Sequence, residues 1–213
     1  MNEIDAYILI GGRSSRFYSD KAVARLLNGK TLASRAFETV QAALPTSRVT
    51  FVARNEAQFA IEAIRVGAPF IFDLIEGRGP LGGLHAALAD ARSRWIFVLA
   101  CDYPFVTASF IRLLATLISD EFGAVVPIQS DSRLQPLCAF YNVARTQPVV
   151  EEIIERPRVP PPVNEIIKQL TARTVPFSEF SDLPGADELF VNINTTQDLD
   201  SAVEKERKLS TAK

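Results

Sequence analysis

The chain has 213 residues, 47% hydrophobic and 23% charged, with 23 basic against 25 acidic side chains and a formal charge of −2. At roughly 150 residues per domain this length allows one large domain or two small ones, and the composition excludes bulk disorder, collagen-like repeats and a disulfide-knot scaffold. So balanced a charge supplies no basic field for a nucleic-acid partner. Apolar runs and helical stretches then alternate along the chain. AYILI (6–10) is almost wholly apolar, the pattern of a strand buried on both faces. A glycine-led polar loop follows, and LASRAFETVQAAL (32–44) has apolar residues at helical spacing. RVTFVAR (48–54) predicts a second strand, a helix follows near 56–65, and PFIFD (69–73) predicts a third strand ending on an acid. Pro80 suits the first turn of a helix over GPLGGLHAALADA (79–91). WIFVLACD (95–102) is the strongest buried-strand signal and also ends on an acid, before TASFIRLLATLI (107–118) returns to helical spacing and GAVVPI (123–128) to strand.

The second half is less regular. LCAFYNV (137–143) predicts a strand after a turn, and ERPRVPPPV (155–163), with four prolines, an extended or turning loop flanked by short helices at about 146–155 and 163–172. FVNINT (190–195) predicts a late strand, and TTQDLDSAVEKE a final amphipathic helix capped by Thr195 or Thr196, with RKLSTAK frayed. The repeated βα order predicts a three-layer, Rossmann-like α/β fold with a mostly parallel central sheet. No apolar run reaches the roughly 18–20 residues that cross a bilayer, and the acidic start MNEIDAYILI lacks the basic residues of a secretory signal. The expectation is a cytoplasmic protein with no membrane partner, and two distant cysteines, Cys101 and Cys138, suit a reducing compartment.

Ligands of open α/β sheets sit beyond the carboxyl ends of the strands. The first strand runs into GGRSSRFYSDK (11–21), where adjacent glycines let a ligand approach the backbone and let amide groups point at an anion. Between Arg13 and Arg35 stand six basic residues against one acid, Asp20, an imbalance suited to a polyphosphate. An ordinary glycine turn with solvated charges would carry the same composition. The spacing fits neither a Rossmann fingerprint nor a P-loop, since Ala24 stands where the P-loop glycine belongs; Asn28-Gly29 reads as a tight turn that leaves Lys30 in solvent. Asp73 and Asp102 close two strands, and a carboxylate at a rigid strand end facing phosphates is a common way to hold Mg²⁺. His85, the only histidine, reads as structural and Cys101 as a small buried residue.

Four blocks then stand in order along nearly the whole chain: Gly11, Gly12, Ser14, Arg16, Asp20 and Lys21 in register with G-G-x-S-x-R-M-G-x-D-K; Gly-Pro-Leu-Gly-Gly at 79–83; Cys-Asp-x-Pro at 101–104; and Phe-Val-Asn-Ile-Asn-Thr at 190–195. In these the chain resembles the molybdenum cofactor guanylyltransferases of the MobA-like nucleotidyltransferase family. Phe17-Tyr18 departs from the family's Met-Gly, and ordinary negative φ is expected at Tyr18. The resemblance implies a nucleotidyltransferase fold as a single domain over 1–205, with a nucleotide half about 1–105, an acceptor half about 106–205 and a frayed 206–213. It implies GMP transfer from GTP to the phosphate of molybdopterin cofactor, with Mg²⁺ and release of pyrophosphate. Arg16, Lys21 and Asp102 would be catalytic and Asp102 the metal ligand. Leu9, Ile10, Gly11, Gly12, Arg13, Ser14, Lys21, Asp73, Gly79, Gly82 and Asp102 would take the nucleotide, and Gln135, Asn192 and Asn194 the acceptor. Asn192 and Asn194, flanking Ile193, would share one face of a strand. Protein partners would be molybdoenzymes or other cofactor-biosynthesis proteins. A cytidylyltransferase, a transferase for another phosphorylated acceptor, and a carrier without chemistry remain alternatives on these residues.

Overall fold

A computed structural model of the chain describes residues 4–10, 24–26, 29–54, 66–155 and 162–211. The expected helix near 56–65, most of the proline-rich loop, and the glycine-led loop with Gly11, Gly12, Arg13, Ser14, Arg16, Tyr18 and Lys21 lie outside these residues. Seven described strands form one sheet in the order β3-β2-β1-β4-β6-β5-β7. They are β1 (Ile4–Leu9), β2 (Val49–Ala53), β3 (Phe70–Phe72), β4 (Trp95–Ala100), β5 (Ala124–Pro127), β6 (Cys138–Asn142) and β7 (Ala172–Val175). β1 pairs in parallel with both β2 and β4, and β2 with β3; β6 runs antiparallel to β4 and β5, and β5 parallel to β7.

β1 and β4 lie at the centre, buried on both faces, which is why both read as continuous apolar runs. Ala6 and Ile8 of β1 join Trp95, Phe97 and Leu99 of β4 under α1 (Leu32–Ala43) and α3 (Ala108–Thr116). Tyr7, Leu9, Ile96 and Val98 face α2 (Pro80–Asp90), α4 (Val143–Ile154) and α5 (Asn164–Gln169). Helices therefore cover both faces, in the three layers the sequence predicts. Each fully buried large apolar side chain here is worth roughly 1.5–3 kcal/mol. The amino ends of the central strands are closed by a polar knot. Arg48 donates to the Asp90 carboxylate at 2.7 Å and to the Tyr7 hydroxyl at 2.8 Å, while Asp5 accepts the Arg92 and Ser93 amides at 2.7 and 3.0 Å.

The second half corrects the sequence reading in four places. Residues 190–195 form no strand: the segment crosses the sheet's end, burying Ile193 against Ala24, Leu26, Leu32 and Ala202, and the Ile193 amide donates to the Asp102 carbonyl at 3.0 Å. Asn192 and Asn194 thus share no strand face. The last strand is instead β7, and the helix expected over 163–172 ends at Gln169. β7 is an edge strand with only Val175 fully buried, so Ala-Arg-Thr-Val carries a weak apolar signal. α4 begins at Val143, capped by Asn142, and continues through Pro148. Finally, α6 (Thr196–Thr211) stays helical past the expected fray, with Arg207 and Glu204 paired at 3.0 Å. Thr195 caps it: Asp198 accepts the Thr195 amide at 2.8 Å and donates its own amide to the Thr195 hydroxyl at 3.1 Å. Among the described residues no helix is long and apolar enough to cross a membrane.

Candidate active site

The parallel pairing brings the ends of β1, β2, β3 and β4 to one edge of the sheet. Ile10 donates its amide to the Val52 carbonyl at 2.9 Å, Cys101 to Leu9 at 3.1 Å and Asp73 to Ala53 at 3.0 Å, so the ladders continue to the last residue before the loops. Leu9 and Ile10 are buried there. Asp73 and Asp102 close strands three places apart in the run β3-β2-β1-β4, so both carboxylates stand on this edge.

Asp73 stands just past β3, half-buried. Burial pushes its carboxyl up to about 6, against the opposing pull of the Arg54 charge. Its neighbour is the start of α2. Gly79, at φ +55°, is the N-cap, and Pro80 follows at the first helical position as predicted. A Cβ on Gly82 would lie 3.3 Å from Asp73 Oδ2 and from Arg78 Cβ, and 3.4 Å from the Ile75 carbonyl oxygen. A Cβ on Gly83 would press on Leu9 Cδ2 at 3.2 Å. The two glycines therefore serve different neighbours, one the carboxylate and the other the end of β1.

Asp102 follows β4, with its Oδ1 atom buried from solvent. Among the described residues no cluster of three or more His, Cys, Asp or Glu side chains could hold a metal. Asp102 fits a Mg²⁺ that takes one protein carboxylate and completes its shell from phosphates and water. Cys101, beside it, is buried in the core. Around residues 26–30 the Leu26 amide donates to the Lys30 carbonyl at 2.8 Å and the Gly29 amide to Leu26 at 2.9 Å, with Gly29 at φ +75°. Asn28 of the turn expected there lies outside the described residues, and Lys30 pairs with Glu38 at the surface.

The acceptor candidates enter from the other half. Gln135 is buried ahead of β6, its amide donating to the Pro127 carbonyl at 2.9 Å. Its side chain accepts the Tyr103 hydroxyl at 3.0 Å and donates to Gln129 Oε1. Burial above all, then the Asp102 charge, holds the Tyr103 phenol well above its usual range, with Arg133 opposing. The Ile193 bond to Asp102 carries Asn192 and Asn194 to the end of β4. Asn192 is half-buried, and among the described residues its buried Oδ1 has no hydrogen-bond partner. Asn194 is exposed, and its backbone amide joins the α6 cap by donating to Asp198 Oδ2 at 2.8 Å. Sequence reasoning singled out Gln135 but not Tyr103 or Gln129. The available signal was the tyrosine inside the Cys-Asp-x-Pro block.

The MobA-like NTP transferase domain model matches residues 6–172. A molybdenum cofactor guanylyltransferase from Desulfosudis oleivorans is 29% identical over 202 residues, covering 95% of each chain. A probable molybdenum cofactor guanylyltransferase from Geobacillus is 29% identical over 157 residues, 73% of this chain and 77% of the relative. The crystal structure of molybdopterin-guanine dinucleotide biosynthesis protein A from Archaeoglobus fulgidus superposes with a TM-score of 0.76 at 26% identity, over 96% of this chain and 99% of that one. A nucleotidyl transferase from Methanothermobacter thermautotroptrophicus, at 15% identity and a TM-score of 0.73, shares the fold over 98% of this chain and all of its own.

Proposed function

The chain belongs to the MobA-like NTP transferase family, and on that premise we propose that it transfers GMP from GTP to the terminal phosphate of molybdopterin cofactor. An oxygen of the acceptor phosphate forms a bond to the GTP α-phosphorus, the bond from that phosphorus to the bridging β-phosphate oxygen breaks, and pyrophosphate leaves with the electron pair. The names of relatives that match over almost their full length support this acceptor and this base. The observation that carries the reading is the placement of Asp73, Gly82 and Asp102 along the carboxyl edge of the parallel strands, where open α/β sheets take their ligands.

Within this reading Gly79, Gly82 and Asp73 receive the nucleoside, and the backbone of Leu9, Ile10, Gly11 and Gly12 lines the nucleotide. Arg13, Ser14, Arg16 and Lys21 take the phosphates. Asp102 holds Mg²⁺, which when bound supplies charge neutralisation for the triphosphate. The transfer needs in-line placement and charge stabilisation, so no side chain of this protein acts as a nucleophile. Gln135, Asn192 and Asn194 take the acceptor, and the orphaned Asn192 Oδ1 is a hydrogen-bond acceptor available to a donor on that ligand.

The test is to incubate the purified chain with Mg²⁺, molybdopterin cofactor and each of the four NTPs in turn, scoring pyrophosphate and the dinucleotide product. Turnover with GTP alone is expected. Turnover with CTP in its place would make the chain a cytidylyltransferase. Molybdopterin binding with no pyrophosphate from any NTP would leave only a carrier.

A further inference from the structure

We propose that Tyr103 is a positioning residue for the acceptor: through its bond to Gln135 it sets which end of the Gln135 amide meets the molybdopterin phosphate. This rests on the reading of Gln135 as an acceptor contact. A glutamine amide has two ends of nearly the same shape and opposite hydrogen-bond character, so its neighbours alone decide which way it lies. Gln135 is only 6% exposed, and its backbone is tied on both sides, to Pro127 by its amide at 2.9 Å and to Cys138 through its carbonyl at 3.1 Å. Tyr103 donates to Oε1 and Gln129 accepts from Nε2. One Nε2 hydrogen is then left, which is the donor that a phosphate oxygen requires.

Tyr103 is itself held firmly enough to impose this choice. Its ring meets Phe190 edge-on at 6.1 Å, and Phe190 packs edge-on against Phe110 at 5.5 Å and Phe180 at 6.2 Å. The phenol therefore spans from an aromatic cluster under α3 to the turn ahead of β6. It follows Asp102 directly in the chain, and the Asp102 carbonyl accepts the Ile193 amide between Asn192 and Asn194. Tyr103 thus links the strand end that carries the metal-ligand candidate to the residues assigned to the acceptor.

Tyr103→Phe keeps the ring contacts and removes only the hydroxyl. Molybdopterin is titrated, by its pterin fluorescence, into the parent, Tyr103→Phe, Gln135→Ala and the double variant, and the GTP Kd is measured separately. One neutral hydrogen bond corresponds to about a three- to tenfold weakening. That loss is expected for molybdopterin in Tyr103→Phe, an equal or larger one in Gln135→Ala, and no further loss in the double variant, with the GTP Kd within twofold throughout. The Gln135 side-chain NH₂ signals in ¹⁵N spectra should also shift in Tyr103→Phe. If Gln135→Ala weakens molybdopterin binding and Tyr103→Phe does not, the positioning role falls while the reading of Gln135 stands. If Gln135→Ala has no effect, that reading falls and takes the role with it. Additive losses, or equal losses for GTP and molybdopterin, would reduce Tyr103 to a structural residue and overturn the proposal.

Discussion

The two halves of the sheet deliver polar residues to the same edge by opposite routes. In β3, β2, β1 and β4 all strands run one way, so whatever closes an apolar run arrives at the edge, as Asp73 and Asp102 do. In the other half β6 runs against both neighbours, so its carboxyl end lies at the far edge. Here the edge is reached by what opens the strand, Gln135, by the end of β5 leading to Gln129, and by the crossing segment around Ile193. The first route places single carboxylates at strand ends and glycines beside backbone, a setting for phosphates and a metal. The second builds side-chain hydrogen-bond chains, a setting for a ligand with several polar atoms.

The comparison is broken most severely at Asp102. Asp102→Asn preserves the shape of the strand end and removes the charge, and turnover should fall about 10²–10³-fold at saturating Mg²⁺. The melting temperature should stay within about 2 °C of the parent. Pyrophosphate release at the parent rate would show that Asp102 is not the metal ligand. The paired glycines give the next contrast. Gly82→Ala sets a Cβ 3.3 Å from the Asp73 carboxylate and should raise the KM for GTP about tenfold with a smaller change in kcat, roughly 1.4 kcal/mol of binding. Gly83→Ala presses on buried Leu9 instead and should cost about 1–2 kcal/mol of stability, a few degrees in Tm, with less change in KM. Steady-state kinetics and melting curves on both variants separate the two roles, and matching profiles would contradict it.

The same contrast explains what could be read from the sequence. WIFVLA and AYIL are buried on both faces of a parallel sheet, so burial leaves an unbroken apolar run that names the strand, and the acid after it names the edge. Pro80 and the glycines around it likewise announced the α2 start. The second half offers weaker signals. Val-Asn-Ile-Asn alternates like a strand, yet its amides bond away from any strand, Val191 to Glu188, Ile193 to Asp102 and Asn194 to the Asp198 side chain, and alternation without a pairing partner is not a strand. β7 has one fully buried residue among four, and so it left no apolar signature. The Tyr103–Gln135–Gln129 chain joins residues 32 positions apart in one bond and six in the other, through contacts that no local spacing encodes.

Asp73 sharpens the comparison through pH. Its carboxyl is raised by burial to about 6 from 3.8, so the folded chain binds this proton more tightly than the unfolded one. Its contribution to stability is therefore full below about pH 4 and is lost as the pH rises through about 6, the reverse of a salt-bridged aspartate. Asp73→Asn removes that loss. The variant should melt higher than the parent at pH 7.5, by a few degrees at most because Asp73 is half-exposed, and the gain should vanish near pH 4. A gain that does not depend on pH would point to packing instead of charge. The variant should also bind GTP more weakly, which separates its stability effect from its effect on the site.

The smallest effect tests the other half. The β5–β6 hairpin turns through Gln129–Arg133, where the Ser132 amide donates to the Gln129 carbonyl and the Gln129 amide to Arg133, both at 2.9 Å. Ser132 lies at φ 68°, the left-handed residue that closes a three-residue loop and usually a glycine. A left-handed conformation costs an L-residue about 1–2 kcal/mol, and glycine gives back roughly 0.5–1 kcal/mol through the greater freedom of its unfolded chain. Ser132→Gly should therefore stabilise the protein by about 0.5 kcal/mol, or 1–2 °C in Tm. Ser132 is exposed and bonds only through its backbone among the interactions described, so the GTP Kd should not move. The molybdopterin Kd decides what the strain is for. The Gln129 side chain sits on this hairpin and accepts from Gln135, so a tip that merely tolerates strain leaves molybdopterin binding unchanged in the glycine variant, and that is the expected result. A stabilised variant that binds molybdopterin several-fold more weakly would instead show that Ser132 holds Gln129 in place, with the hairpin tip acting as part of the acceptor wall.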